Sequence, residues 1–288
     1  MGIEPSIAAG RKGKEFTSLP RETTTNNSKS AKKSRRKQRQ QMPLQNLFEA
    51  CREIFANGGT GFIPPPDDVE RLRSILDRLS PADVGLSPDM PYFRATTTTE
   101  LPIITYLHLY ECPNFSMGIF CLPPSGVLPL HNHPGMTVFS KLLFGTMHIK
   151  SYDWADEVLA TVSPDTAAAP NATHAGGTPA RLAKLKMNAD LVAPCNTSIL
   201  YPASGGNMHC FTAITACAVL DVLGPPYSDP DGRHCTYYLE HPFDRFSADG
   251  TSVAESERDS FAWLQEREKP RDLIVLGAPY RGPRIVPS

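Results

Sequence analysis

The sequence predicts a mainly β protein, an antiparallel barrel or jelly roll with helices at its N-terminal side. Three observations predict it. Short β-prone runs recur from Ile103 onward, Pro, Gly and Asn punctuate them, and few helical stretches fall between.

Met1 to about Gln41 is rich in Ser, Thr, Asn, Lys and Arg and nearly devoid of large apolar residues. It cannot bury enough surface to offset chain entropy, so a disordered basic arm is expected over 1–41. Within it, Lys32-Lys33-Ser34-Arg35-Arg36-Lys37-Gln38-Arg39 reads either as a nuclear-import signal or as a solvated basic tail. A helical segment is expected over 42–87, packing on the barrel. Leu44, Leu47, Phe48, Cys51, Ile54 and Phe55 recur at helical spacing, and Gly58-Gly59 ends that helix. After Pro64-Pro65-Pro66, Asp67 or Asp68 is a candidate cap for a second amphipathic helix through Val69, Leu72, Leu76 and Leu79. Ser80-Pro81-Ala82-Asp83 looks like a fresh cap with Pro at the first helical position.

The barrel is assigned to 88–288. Strands are predicted over Ile103 to Tyr110, Phe115 to Leu122, Met136 to Leu143, Gly145 to Tyr152, Thr197 to Tyr201, His209 to Ile214 and Ala216 to Leu223. Val162 to Pro179, rich in Ala, Pro, Thr and Gly, reads as an exposed loop insertion. Composition excludes other classes. The net charge is −1, no stretch approaches the ~20 apolar residues of a membrane-spanning helix, and no apolar run follows Met1. An intracellular protein without a membrane partner is expected. Seven scattered cysteines without a CxxC pair read as free thiols, mostly buried, and give no zinc-finger spacing.

The chemistry concentrates in the histidines. Among eight, His131 and His133 form an H-x-H pair expected at the start of a strand, where a spacing of two puts both imidazoles on one face. Two neutral imidazoles converging on one point suit a divalent first-row metal. Gly126-x4-His131-x-His133-x11-Gly145 follows the first cupin motif, with one residue fewer before the first His. Where that motif carries a Glu, this chain has Thr137 and Val138. The second cupin motif ends in Gly-x-x-His, here Gly206-Asn207-Met208-His209, and His209 is expected to bring a third imidazole from a strand across the barrel. Three neutral imidazoles leave a ferrous ion its full double charge, which stabilises an anionic ligand such as a thiolate. Three open positions suffice for a thiolate, an adjacent amine and O₂.

Several further runs are specific: Leu128-Pro129-Leu130-His131-Asn132-His133-Pro134-Gly135-Met136-Thr137-Val138, Ser140-Lys141-Leu142-Leu143-Phe144-Gly145, Lys150-Ser151-Tyr152-Asp153-Trp154, Asn207-Met208-His209-Cys210-Phe211 and Asp221-Val222-Leu223-Gly224-Pro225-Pro226-Tyr227. With them, residues 88 to about 245 resemble the plant cysteine oxidases, thiol dioxygenases of the cupin superfamily related to cysteamine dioxygenase. The resemblance implies a cupin-type double-stranded β-helix, Fe(II) on His131, His133 and His209, and O₂ as co-substrate. It implies a protein N-terminal cysteine as the other substrate. In plants these are group VII ethylene-response transcription factors, whose oxidation to the sulfinic acid feeds the N-degron pathway and senses oxygen. It further implies that Asp221 meets the substrate's α-ammonium and Tyr227 its thiol or bound oxygen; the alternatives are a turn residue and a packing residue. Related enzymes can form a Cys–Tyr thioether; here Cys235 and Tyr237, which could share a strand face, are read as ordinary neighbours. His108 and His148 are assigned to core or surface, His174 to solvent, and Tyr152 and Trp154 to packing.

A monomer in nucleus and cytoplasm is expected. Two other functions compete: a three-histidine Zn²⁺ cupin hydrolase or hydratase, and a non-enzymatic nuclear cupin binding DNA through its arm. The folded region lacks basic clusters interleaved with aromatics, so no direct nucleic-acid contact is expected.

Overall fold

A computed structural model describes residues 42–95, 101–155, 178–246 and 253–287. The basic arm with its 32–39 run, most of the 162–179 insertion and His174 lie outside the described residues.

Two helices come first, α1 (Pro43–Ile54) and α2 (Pro66–Asp77). Leu44, Leu47, Phe48, Cys51 and Ile54 of α1 and Leu72 and Leu76 of α2 are buried, as their spacing requires. Pro66 opens α2 at its first position, and no side chain caps it. Asp67 and Asp68 fall in its first turn instead, where negative charge suits the helix dipole. Ser80 and Asp83 close a capping box on a 3₁₀ turn, Pro81–Val84.

Twelve strands come next among the described residues. One sheet runs in the order β12-β1-β2-β9-β4-β7, where β1 is Ile103–Glu111, β2 Ser116–Leu122, β4 Thr137–Phe144, β7 Ser198–Leu200, β9 Cys217–Gly224 and β12 Ile274–Ala278. The other strands close into a barrel ordered β10-β11-β6-β5-β8-β3, with β3 Val127–His131, β5 Thr146–Trp154, β6 Ala180–Val192, β8 Met208–Ala213, β10 Tyr237–Pro242 and β11 Phe261–Arg267. The expected mainly β, cupin-type barrel with N-terminal helices is therefore found. Its pairing is antiparallel throughout except at β1 and β12, which run parallel.

Strand alternation assigns the cores. Met117, Ile119, Leu220 and Val222 face α1 and α2. From the other face, Ile104, Leu122, Leu142 and Val219 meet Met147, Ile149 and Phe211 between the two sheets. Leu130, Tyr152, Met208, Tyr238 and Leu264 fill a third cluster, with Trp154 packed against it. Each such large side chain contributes roughly 1.5–3 kcal/mol on burial. A tail beyond β12 returns to the helices. Gln45 and Val286 exchange two hydrogen bonds, of 3.0 and 2.9 Å, and Tyr280 and Ile285 pack on the helix-facing core.

All seven cysteines are free thiols. Burial is only partly as expected: Cys51, Cys121 and Cys217 are buried, whereas Cys112, Cys195, Cys210 and Cys235 are half-buried.

Candidate metal centre

β3 delivers the first histidine and then stops. The strand ends at His131, so the H-x-H pair lies at the end of a strand and not at its start. Its two imidazoles do not share a strand face: His133 occupies the following turn, which Gly135 allows by adopting φ 65°. His209 is on β8, and its Cα stands directly opposite His131 in the antiparallel register. The third imidazole thus comes from the neighbouring strand and not from across the barrel.

The three rings form a nearly equilateral triangle, with centroid separations of 5.0, 4.8 and 4.9 Å. Their ligand atoms all lie within 4.8 Å of one another, and no carboxylate or thiol belongs to the group among the described residues. Burial holds the basicity of His131 down and drives those of His133 and His209 well below the usual imidazole value. All three are neutral, which is the form that binds a metal.

Hydrogen bonds decide which nitrogen each ring presents. Nδ1 of His131 lies 2.8 Å from the Pro129 carbonyl, which can only accept, so Nδ1 carries the proton and Nε2 the lone pair. Tyr227 gives His133 the same tautomer. Its hydroxyl donates to the Asn132 carbonyl at 2.7 Å and accepts from His133 Nδ1 at 2.9 Å. Burial, then the neighbouring Cys235, Asp221 and Tyr237, raise the Tyr227 hydroxyl well above its usual range, so it keeps its proton. The ring of His209 has a backbone partner in Gly206 and stacks on Phe211 at 4.4 Å. His133 Nε2 and His209 Nε2 then face each other at 3.3 Å. A cation between two such nitrogens turns a repulsive contact into two ligand bonds, so the residues fit a divalent metal.

A set of polar residues that sequence reasoning did not single out holds this triad. Asn207, buried, accepts from the His133 N–H at 3.0 Å and donates to the His133 and Tyr201 carbonyls, each at 2.9 Å. Asp153 accepts from the backbone N–H groups of Gly205, Gly206 and Asn207 at 2.8–3.1 Å. Gly206 adopts φ 88° beside Ser151, where a Cβ would collide with the serine hydroxyl. Asn132, between the two histidines, is tied through its side chain to Tyr238 Oη and the Thr236 N–H. One signal was available: Asp153 and Asn207 stand in the specific runs, but nothing local shows that they meet.

Asp221 faces the interior of the first sheet, level with Gly118 on one side and Ser140 on the other. It shares no hydrogen bond with the imidazoles among the described residues, yet its charge bears on Tyr227 and on Tyr106. Among the described residues its Oδ1 is buried without a hydrogen-bond partner. The Ser140 hydroxyl lies close enough to favour the ionised form but makes no bond of normal geometry. Burial therefore pushes the carboxyl up to about 6. Cys235 precedes β10 instead of sharing a strand face with Tyr237, and its thiol lies beside the Tyr227 and Tyr237 hydroxyls. The other described histidines stand apart: His108 is exposed, and His148 bonds Asp190 and Asn188 at the surface.

Comparison with known proteins identifies the family. The PCO_ADO family model matches residues 75–285. Plant cysteine oxidase 2 of Arabidopsis thaliana is 59% identical over 244 residues, covering 84% of this chain and 83% of that protein. The 2-aminoethanethiol dioxygenase of Homo sapiens is 31% identical over 227 residues, covering 77% and 83%. Among solved structures, an oxalate oxidase aligns over 57% of this chain and 67% of its own, at 16% identity and a TM-score of 0.31. Three neutral imidazoles without a carboxylate, inside a sequence matched over most of its length, place the chain in the PCO_ADO family of thiol dioxygenases.

Proposed function

We propose that this enzyme uses Fe(II) and O₂ to convert the N-terminal cysteine of target proteins to cysteine sulfinic acid. The single observation that carries the reading is the neutral, carboxylate-free triad of His131, His133 and His209. Fe(II), when bound there, supplies the thiolate-binding and O₂-activating chemistry. In the net reaction the thiol sulfur gains both atoms of one O₂ and the S–H proton ends on the sulfinic acid. No external reductant is needed.

The chain's own residues do the rest. Pro129, Tyr227 and Gly206 hold the imidazole protons on the far side, so the lone pairs point inward. Asp221, carboxylate above about pH 6, takes the substrate's α-ammonium, which also supplies the counter-charge its buried oxygen lacks. Tyr227, held protonated, orients His133 through its hydroxyl; the contact proposed for it with the substrate thiol or oxygen requires that hydroxyl to turn away from the Asn132 carbonyl.

The targets proposed are group VII ethylene-response transcription factors, with oxidation feeding the N-degron pathway and its rate reporting oxygen. The basic run at 32–39 supports a nuclear as well as a cytoplasmic pool, and a monomer suffices because one chain supplies all three imidazoles. Mass spectrometry tests the reaction directly. A Cys-initiated peptide incubated with the iron-loaded protein under ¹⁸O₂ gains two labelled oxygen atoms, and the same peptide acetylated at its α-amine does not. Equal turnover of the acetylated peptide rules out the Asp221 contact; full activity with zinc and none with iron sinks the reading itself.

A further inference from the structure

The loop between β9 and β10 holds a buried guanidinium that neither the triad nor the proposed chemistry uses. Arg233 is 8% exposed. Its Nε donates to the Pro226 carbonyl at 3.1 Å, its Nη1 to the Thr60 hydroxyl at 2.7 Å and its Nη2 to Asp231 at 3.1 Å. Asp231 itself is mostly exposed, so it compensates little of the cost of burying the charge. The local hairpin does not need this side chain. Ser228 and Arg233 already close it with two mutual backbone hydrogen bonds of 2.9 Å.

The partners of the guanidinium both lead to His133. Pro226 precedes Tyr227, whose hydroxyl accepts from His133 Nδ1. Thr60 belongs to the loop after α1, and that loop is strapped to the turn after His133. The Gly61 N–H donates to the Gly135 carbonyl at 2.7 Å, and Thr137 Oγ1 donates to the Phe62 carbonyl at 2.7 Å. A Cβ at Gly135 would stand 2.6 Å from the Thr60 methyl, so the two loops touch closely. Contacts therefore run in a closed ring from His133 to Tyr227, Pro226, Arg233, Thr60 and Gly135, then back to His133.

We propose that Arg233 is a positioning residue of the metal centre: by joining Pro226 to Thr60 it holds the Tyr227 hydroxyl on His133 Nδ1. The helical segment thereby takes part in the site through Thr60, although it supplies no ligand. A fork of three donors aimed in three directions is what a guanidinium offers and an ammonium does not. The proposal rests on the metal reading of the triad.

Co(II) is the probe, with the full chain, its affinity measured by competition with a chromophoric chelator and its site by the visible spectrum. Arg233→Lys keeps the charge and loses the fork; Thr60→Val, at an exposed position, removes one hydroxyl. Each is expected to weaken Co(II) binding by about tenfold and to shift the spectrum, as loss of an outer partner of a ligand does. Tyr227→Phe should do the same. The Arg233→Lys/Tyr227→Phe double variant should bind within about twofold of Tyr227→Phe alone, because the two act through one contact. Wild-type affinity and spectrum in Arg233→Lys, or losses that multiply in the double variant, overturn the proposal. If Arg233→Lys does not fold, Thr60→Val decides on the same readings. A wild-type chain that fails to bind Co(II) removes the metal reading and this proposal together; a chain that binds it and ignores Arg233→Lys removes this proposal alone.

Discussion

Two buried polar regions in this protein are built on opposite principles. Around the triad, the second nitrogen of each imidazole has a partner: the Pro129 carbonyl for His131, Tyr227 for His133, the Gly206 backbone for His209. In the row across β2, β9 and β4, Asp221 Oδ1 and Ser140 Oγ are buried without a hydrogen bond of normal geometry among the described residues, although the Ser140 hydroxyl lies close enough to favour the ionised carboxylate. A satisfied network is rigid and holds a fixed object in a fixed place. An unsatisfied carboxylate costs stability until something arrives to pair with it. The first region suits a resident metal and the second a transient cation.

The contrast breaks most easily at the ligands. His209→Ala, like the same change at His131 or His133, should remove the bound metal and abolish activity, which metal analysis and turnover report together. A His209→Ala protein with stoichiometric metal would show that the triad is not the site. Asn207→Ala comes next. It strands the His133 N–H and removes one of the two donors to the His133 carbonyl, so metal affinity should fall roughly 10–100-fold. Stability should fall by about 2–3 kcal/mol, read by chelator competition and denaturant titration.

Asp221→Asn separates the two regions most sharply. If the carboxylate pairs with the substrate's ammonium, kcat/KM should drop by roughly one to two decades, or about 1.5–3 kcal/mol, at unchanged metal content. The metal-free protein should respond the other way. A carboxyl raised from 3.8 to about 6 binds its proton more tightly when folded, so its cost is absent below pH 3.8. The cost grows between those values and is complete above about 6, where it amounts to ~3 kcal/mol. Asp221→Asn should therefore be the more stable form at pH 7, with the gain vanishing toward pH 4 in paired denaturation curves. Equal curves at both pH values would remove the stored cost. The smallest effect belongs to His148→Ala, whose partners are exposed. Metal content and turnover should not change, and stability should move by less than about 0.5 kcal/mol.

Seven strands were legible because each has a face in one of the cores. The other five show no apolar alternation that stands out in the sequence, although β3, β10 and β11 also put side chains into the cores. In β6 the row from Lys186 to Asp190 is exposed, so no apolar alternation marks it. β3 hides behind Pro129, and β12 is short and pairs with a strand far back in the chain. The ligands were legible because their spacing is local: two in one tripeptide, the third closing a Gly-x-x-His. Their correct placement was not, since the end of β3 and its register against β8 depend on the turn at Gly135 and on long-range pairing. Asp153, Asn207 and Arg233 escaped for the same reason. Each acts on residues that only the folded chain brings near.

The Gln45–Val286 pair and the β1–β12 ladder have a consequence for how the protein is made. Helix α1 leaves the ribosome long before its partner, 241 residues later in the chain, and β1 waits for β12 to cover its edge. Contacts of such sequence separation form late and slowly. Until residues 274–286 emerge, α1 can pack on α2, β2 and β9 but lacks Tyr280 and Ile285, and β1 presents an open strand edge, a surface that chaperones and stray partners capture. The fold is complete only once those residues are made, so the β1 edge is the surface that needs protection meanwhile.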